Sequence, residues 1–148
     1  MYKLGIDIGI YGALAFLDTE TVKVELYDMP VMAKSNKKQM VNAAELSNII
    51  EGHPGFTAYV ELVNAMPGQG VSSVFSFGMS YGIVLGVLAA LGVPMVLITP
   101  AVWKKRAGLI GKDKNLSRTL AQQLYPKVEL GQKKDIGRAE ALLIARFS

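Results

Sequence analysis

The sequence predicts an α/β fold: a mixed five-stranded sheet in spatial order 3-2-1-4-5, flanked by helices. Three observations lead there. The first thirty residues alternate as an antiparallel meander, the remainder interleaves helical segments with two strand-like runs, and 148 residues at 51% hydrophobic content suit one core rather than two. Residues 1–148 are therefore expected to form a single domain.

The elements follow in order. Tyr2 to Ile8 reads as a strand and Tyr11 to Leu17 as a second, with Gly9 and Gly12 bracketing the bend between them. Val22 to Met29 alternates apolar with polar residues, as a half-buried strand does. Pro30 to Met40 carries Lys34, Lys37 and Lys38 and reads as a mobile basic loop. Asn42 with Glu45 three residues later forms a capping-box pattern for a helix running to about Glu51, stopped by Gly52, Pro54 and Gly55. Thr57 to Val63 is a strand that contains Glu61. Val71 to Leu91 is a long uncharged helix ended by Gly92, and Val93 to Ile98 is a β-branched strand. Thr99 caps and Pro100 opens the next helix, which runs to about Gly108. Lys112 to Leu124 is a basic amphipathic helix closed by Pro126, a second basic loop passes through Lys133 and Lys134, and Gly137 to Phe147 forms the last helix. Right-handed crossovers place the fourth strand beside the first and the fifth outside it, which yields the stated order.

Composition excludes several chemistries. There is no cysteine, hence no disulfide, thiol nucleophile or Cys-based zinc site. The one histidine, His53, lies in a Gly-Pro turn and reads as an exposed loop residue rather than a catalyst. No charged residue occurs from Leu62 to Trp103, but serines in its first half and Pro94 after it argue for a fully buried helix and strand rather than a membrane span. The net charge of +4 is uneven: residues 1–100 hold 5 basic against 8 acidic side chains, and residues 101–148 hold 11 against 4. A basic C-terminal third is the footprint expected of a polyanion partner.

The carboxylates then stand out. Asp7 falls near the middle of the central strand and Glu61 near the end of its parallel neighbour, so both emerge at one edge of the sheet. Two acids side by side in a buried strand layer repel unless a cation lies between them. Asp135 and Glu140, at the start of the last helix, reach the same edge if that helix packs on the first strand. With no soft ligand available, the fitting ions are hard cations, Mg²⁺ or Mn²⁺. Basic stretches at Lys34 to Lys38, Lys104 to Lys114 and Lys133 to Arg138 surround them, and acids ringed by bases suit a phosphodiester.

The order Gly-Ile-Asp-Ile-Gly, a strand ending in Val-Glu, and a C-terminal Arg-Ala-Glu-Ala-Leu-Leu-Ile-Ala resembles the RuvC-type Holliday-junction resolvases of the ribonuclease H-like superfamily. The segment from Asn64 to Ser73, with the Gly-rich helix after it, is similar to phage and prophage members. The resemblance implies a ribonuclease H-like fold and a cytoplasmic homodimer, in a bacterial or phage-infected cell, that cuts four-way DNA junctions with Mg²⁺. Asp7 matches the first-strand aspartate, Glu61 the fourth-strand glutamate, and Glu140 the second acid of a helical pair. The first acid of that pair stands three residues earlier, where this chain has Gly137; Asp135 is the nearest substitute. Asn64 occupies the position of a base-inserting aromatic in bacterial relatives, so their junction sequence preference does not carry over.

Together these readings predict hydrolysis assisted by two Mg²⁺ about 4 Å apart, with Asp7, Glu61, Asp135 and Glu140 as ligands. Lys104, Lys105, Arg106, Lys112, Lys114, Lys133, Lys134 and Arg138 are the expected DNA-binding residues. Gly78, Gly82 and Gly86, spaced by four, permit close approach of the long helix either to a partner subunit or to the sheet beneath it. Two other readings stay open: a junction-binding protein without catalysis, and an actin-like ATPase fragment, because Gly-Ile-Asp-Ile-Gly-Ile-Tyr-Gly also resembles a phosphate-binding hairpin.

Overall fold

The computed structural model describes residues 1–148. Its main sheet contains β1 (Tyr2–Asp7), β2 (Ala13–Asp18) and β3 (Val24–Asp28) as an antiparallel meander. A separate small hairpin follows, β4 (Val31–Ala33) and β5 (Gln39–Val41). Then come α1 (Ala43–Glu51), β6 (Phe56–Glu61), α2 (Val71–Ala90), β7 (Met95–Ile98), α3 (Pro100–Ala107), α4 (Lys114–Leu124), a 3₁₀ turn at Lys133–Asp135, and α5 (Ile136–Phe147). The sheet order is β3-β2-β1-β6-β7, with β6 and β7 parallel to β1. This is the expected arrangement with one difference: the small hairpin supplies the fourth and fifth strands along the chain, so the outer parallel pair are the sixth and seventh. The hairpin replaces the expected basic loop. Its Val41 is fully buried, and Asn36 and Lys37 take positive φ of 59° each at the turn.

Alternation along β1 sorts the two faces. Leu4, Ile6 and Ile8 join Leu46 and Ile50 of α1 and Val84 and Leu88 of α2 in one core. The opposite face of β2 meets α5, α4 and the α3 residue Trp103 in the other. Gly5 is where α5 crosses β1: a β-carbon there would overlap the backbone of Ala141 and Ala145. That contact draws the start of α5 toward the end of β1.

Local capping matches the sequence signals in part: Thr99 stands at the N-cap of α3 but makes no side-chain capping hydrogen bond. The Asn42 side chain accepts from the Glu45 amide at 3.1 Å, and Asp113 caps α4 by accepting from the Asn115 amide at 2.7 Å. The cap explains why α4 starts at Lys114 rather than at Lys112.

The long apolar helix departs from expectation. Only Ser80, Val84 and Leu88 of α2 are buried, whereas Val71, Phe75 and Phe77 are exposed. At 20 residues it is long and apolar enough to cross a membrane by length and composition. β7 is an edge strand with Val96 and Leu97 half exposed, not a buried one. The reason lies in the tertiary arrangement: α2 packs one face on the sheet beside α1 and leaves its outer face exposed, and β7 is the outermost strand.

Candidate active site

The register brings the first two acids together. Ile6 pairs with Val60, so Asp7 and Glu61, the next residues, leave adjacent parallel strands side by side. The β1–β2 hairpin closes tightly behind Asp7, because a β-carbon at Gly12 would overlap the Asp7 carbonyl. Glu140, one turn into α5, faces them. All three line an open cleft of about 920 Å³, together with Lys104, Lys114, Lys133, Lys134, Asp135 and Arg138.

The electrostatics record the crowding. Burial, and then the negative charges of Glu140 and Glu61, push the Asp7 carboxyl well above the usual aspartate range. Burial and the charge of Glu61 likewise raise Glu140. Lys104 and Lys114 oppose both shifts without cancelling them. Such frustration is what a bound cation relieves.

The residues therefore fit a hard divalent ion by donor type and by uncompensated charge, although no three acidic side chains are closed around a single point. Mg²⁺ tolerates this, since it commonly takes one or two carboxylates and completes its shell with water and substrate phosphate. The four-carboxylate arrangement expected from sequence is not preassembled. Asp135 lines the cleft but is 93% buried from solvent (relative exposure 7%), and its Oδ2 accepts from the Gln132 amide at 2.9 Å, closing a capping box on the turn before α5. Gly137, where the resemblance places an acid, cannot carry one in this geometry. A β-carbon there would lie 2.6 Å from the Tyr11 carbonyl oxygen and 3.5 Å from Asp7 Oδ2.

Arg138, Arg106, Lys105, Lys112 and His53 are placed otherwise than the sequence predicts. Arg138 is not free for phosphate: its guanidinium grips Asp28 through Nε at 2.7 Å and Nη2 at 3.1 Å. Arg106 points elsewhere and donates to the Phe147 carbonyl at 3.0 Å. Lys105 and Lys112 are exposed outside the cleft lining. His53, expected to be exposed, is half-buried at the other end of the sheet. It stacks on Phe16 with ring centroids 3.8 Å apart, and its Nε2 lies 3.0 Å from Glu25 Oε2.

Sequence reasoning missed Asp28, whose cleft position depends on β3 lying beside β2, and Trp103, whose Nε1–H donates to Glu61 Oε1 at 2.9 Å. The only available signal for Trp103 was its place in an otherwise basic segment, next to Lys104.

No protein-family model matches the chain. It is 31% identical over 157 aligned positions to the chloroplastic Holliday junction resolvase MOC1 of Chlamydomonas reinhardtii, an alignment covering 88% of this chain and 18% of that protein. The chain thus spans less than a fifth of this curated relative. Among solved structures, Thermus thermophilus RuvC superposes with a TM-score of 0.68 at 18% identity, covering 98% of this chain and 92% of the other. T. thermophilus RuvC in complex with a Holliday junction substrate gives 0.66 at 17% identity, with the same coverage. Nearly end to end, then, the chain is of the RuvC type in fold, a ribonuclease H-like architecture.

Proposed function

We propose that this chain is a divalent-metal-dependent endonuclease that resolves four-way DNA junctions by paired phosphodiester hydrolysis, in the cytoplasm of a bacterial or phage-infected cell. The observation that supports this most is the trio Asp7, Glu61 and Glu140, held in mutual repulsion in one lysine-lined cleft. These side chains would hold the cation. When bound, Mg²⁺ or Mn²⁺, expected as a pair, supplies an acidified water and neutralises charge on the scissile phosphate. Lys104 and Lys114 hold the phosphate against the acids, and Lys133 and Lys134 track the flanking backbone on the rim. Asp135 acts at one remove: by capping its turn it fixes the start of α5 and hence Glu140.

A homodimer completes the proposal, since two equivalent strands need two equivalent sites and a two-fold axis supplies them. α2 is the surface for it. A β-carbon at Gly78, Gly82 or Gly86 would meet nothing within 4 Å, so the glycine stripe faces outward rather than onto the sheet. Sedimentation should give a dimer, and Gly82→Arg a monomer.

The test is incubation with a synthetic four-way junction, a fork and a linear duplex, with and without Mg²⁺. Paired nicks on the junction that need metal, and binding that weakens steeply as salt rises, are expected. Junction binding without cleavage in either Mg²⁺ or Mn²⁺ favours a second reading, a non-catalytic junction binder. Gly137 at the acid position and the engagement of Asp135 in its cap are the observations behind that reading.

A further inference from the structure

We propose that Trp103 is a positioning residue for Glu61, fixing one carboxylate oxygen so that the other is presented for metal binding. The inference rests on the nuclease reading for its consequence, but its geometry stands apart from it. Glu61 ends β6 on the edge of the cleft, and its one hydrogen bond runs from the Trp103 indole, Nε1 to Oε1 at 2.9 Å; Oε2 makes none. Trp103 itself is fully buried in the core beneath α5, so its ring cannot swing away without opening that core.

The chemistry of the donor matters. An indole N–H donates and cannot accept, carries no charge, and offers no atom to a cation. It therefore orients Glu61 without cancelling its charge, as a lysine would, and without competing for its ligand. Fold topology supplies the placement: Glu61 pairs with Ile98 at the end of β7, and α3 begins two residues later, which sets Trp103 over the carboxylate. The next residue, Lys104, lines the same cleft with its ammonium 5.4 Å from the Trp103 ring centroid. One buried side chain thus anchors both an acid and a base of the site.

Trp103 is the only tryptophan in the chain, so a single indole resonance reports on the contact. The experiment replaces the Trp103 indole N–H in the full chain in two ways: Trp103→Phe, and substitution of the residue by 3-benzothienylalanine, which keeps ring volume and removes only the donor. Mn²⁺ uptake is measured by calorimetry alongside melting temperature and metal-free junction binding. Loss of Mn²⁺ affinity by roughly 10–100-fold is expected, the range typical when the partner of a metal ligand is removed, with melting of the benzothienyl protein and metal-free junction binding held. Unchanged Mn²⁺ affinity in the benzothienyl protein overturns the inference. If the wild-type chain takes up no Mn²⁺, the nuclease reading fails, and the indole N–H resonance decides the positioning on its own. A marked shift of that resonance in Glu61→Gln sustains it, and an unmoved one overturns it.

Discussion

The two ends of the central sheet treat their charged groups in opposite ways. At the far end, Glu25 has a partner on each side: Lys23 Nζ at 3.1 Å and His53 Nε2 at 3.0 Å, with His53 stacked on Phe16. Its carboxyl is held below the usual glutamate range by those contacts, His53 first. At the near end Asp7 and Glu140 are pushed up, with lysines nearby but none in contact as an ion pair. One end is satisfied and the other is left unbalanced. The fold pairs Glu25 and, on the cleft wall, Asp28 with Arg138, but leaves Asp7 and Glu140 without an ion-pair partner; that imbalance is what a cation and a phosphate would complete.

The sharpest way to break the comparison is Asp7→Asn. Cleavage of a four-way junction should fall by roughly 10²–10³-fold or more, the scale seen when one preorganised electrostatic group is lost. The same change should raise the melting temperature of the metal-free protein at neutral pH. The sign follows from the raised pKa: the folded state holds the Asp7 proton more tightly than the unfolded chain does. The stability this proton contributes is present below the ordinary value of 3.8 and is lost as pH rises through the higher folded value. The advantage of Asn over Asp should therefore grow across that window and vanish in acid. Addition of Mg²⁺ should raise the melting temperature of the wild type by mass action and leave Asp7→Asn unmoved.

Gly137→Asp comes next. Restoring the acid of the resemblance should not restore a ligand, because the new side chain meets the Tyr11 carbonyl. Overpacking of this kind costs about 1–3 kcal/mol, read as a lower denaturation midpoint. A stable, more active Gly137→Asp protein would show that the hairpin gives way.

The smallest effect belongs to the satisfied end. Glu25→Gln should cost about 0.5 kcal/mol at neutral pH, a figure kept low because Glu25 is 40% exposed and screened. Here the sign is reversed: the depressed pKa stabilises above the ordinary value of 4.5, and the contribution disappears as pH falls through the folded value. Cleavage should not change. Melting curves of the two variants against pH should thus slope in opposite directions.

Sequence alone determined the meander, the parallel pair and the placement of Asp7 and Glu61 at one edge. Those features depend on alternation, caps and crossover handedness, which act over a few residues or by a general rule. Glu140 follows from the resemblance and from an assumed packing of the last helix on the first strand, a packing that the structure supplies at Gly5. Only the tertiary structure decided the partners. Asp135 went to a backbone amide and Arg138 to Asp28, 110 residues away; Trp103 reached Glu61 across 42. Burial of α2 was decided there too, because an apolar helix looks the same in sequence whether the chain covers its outer face or leaves it bare. The physical reason is range: backbone preference and periodicity are written locally, whereas hydrogen-bond choice and coverage depend on which distant atoms the packed core brings within about 3 Å.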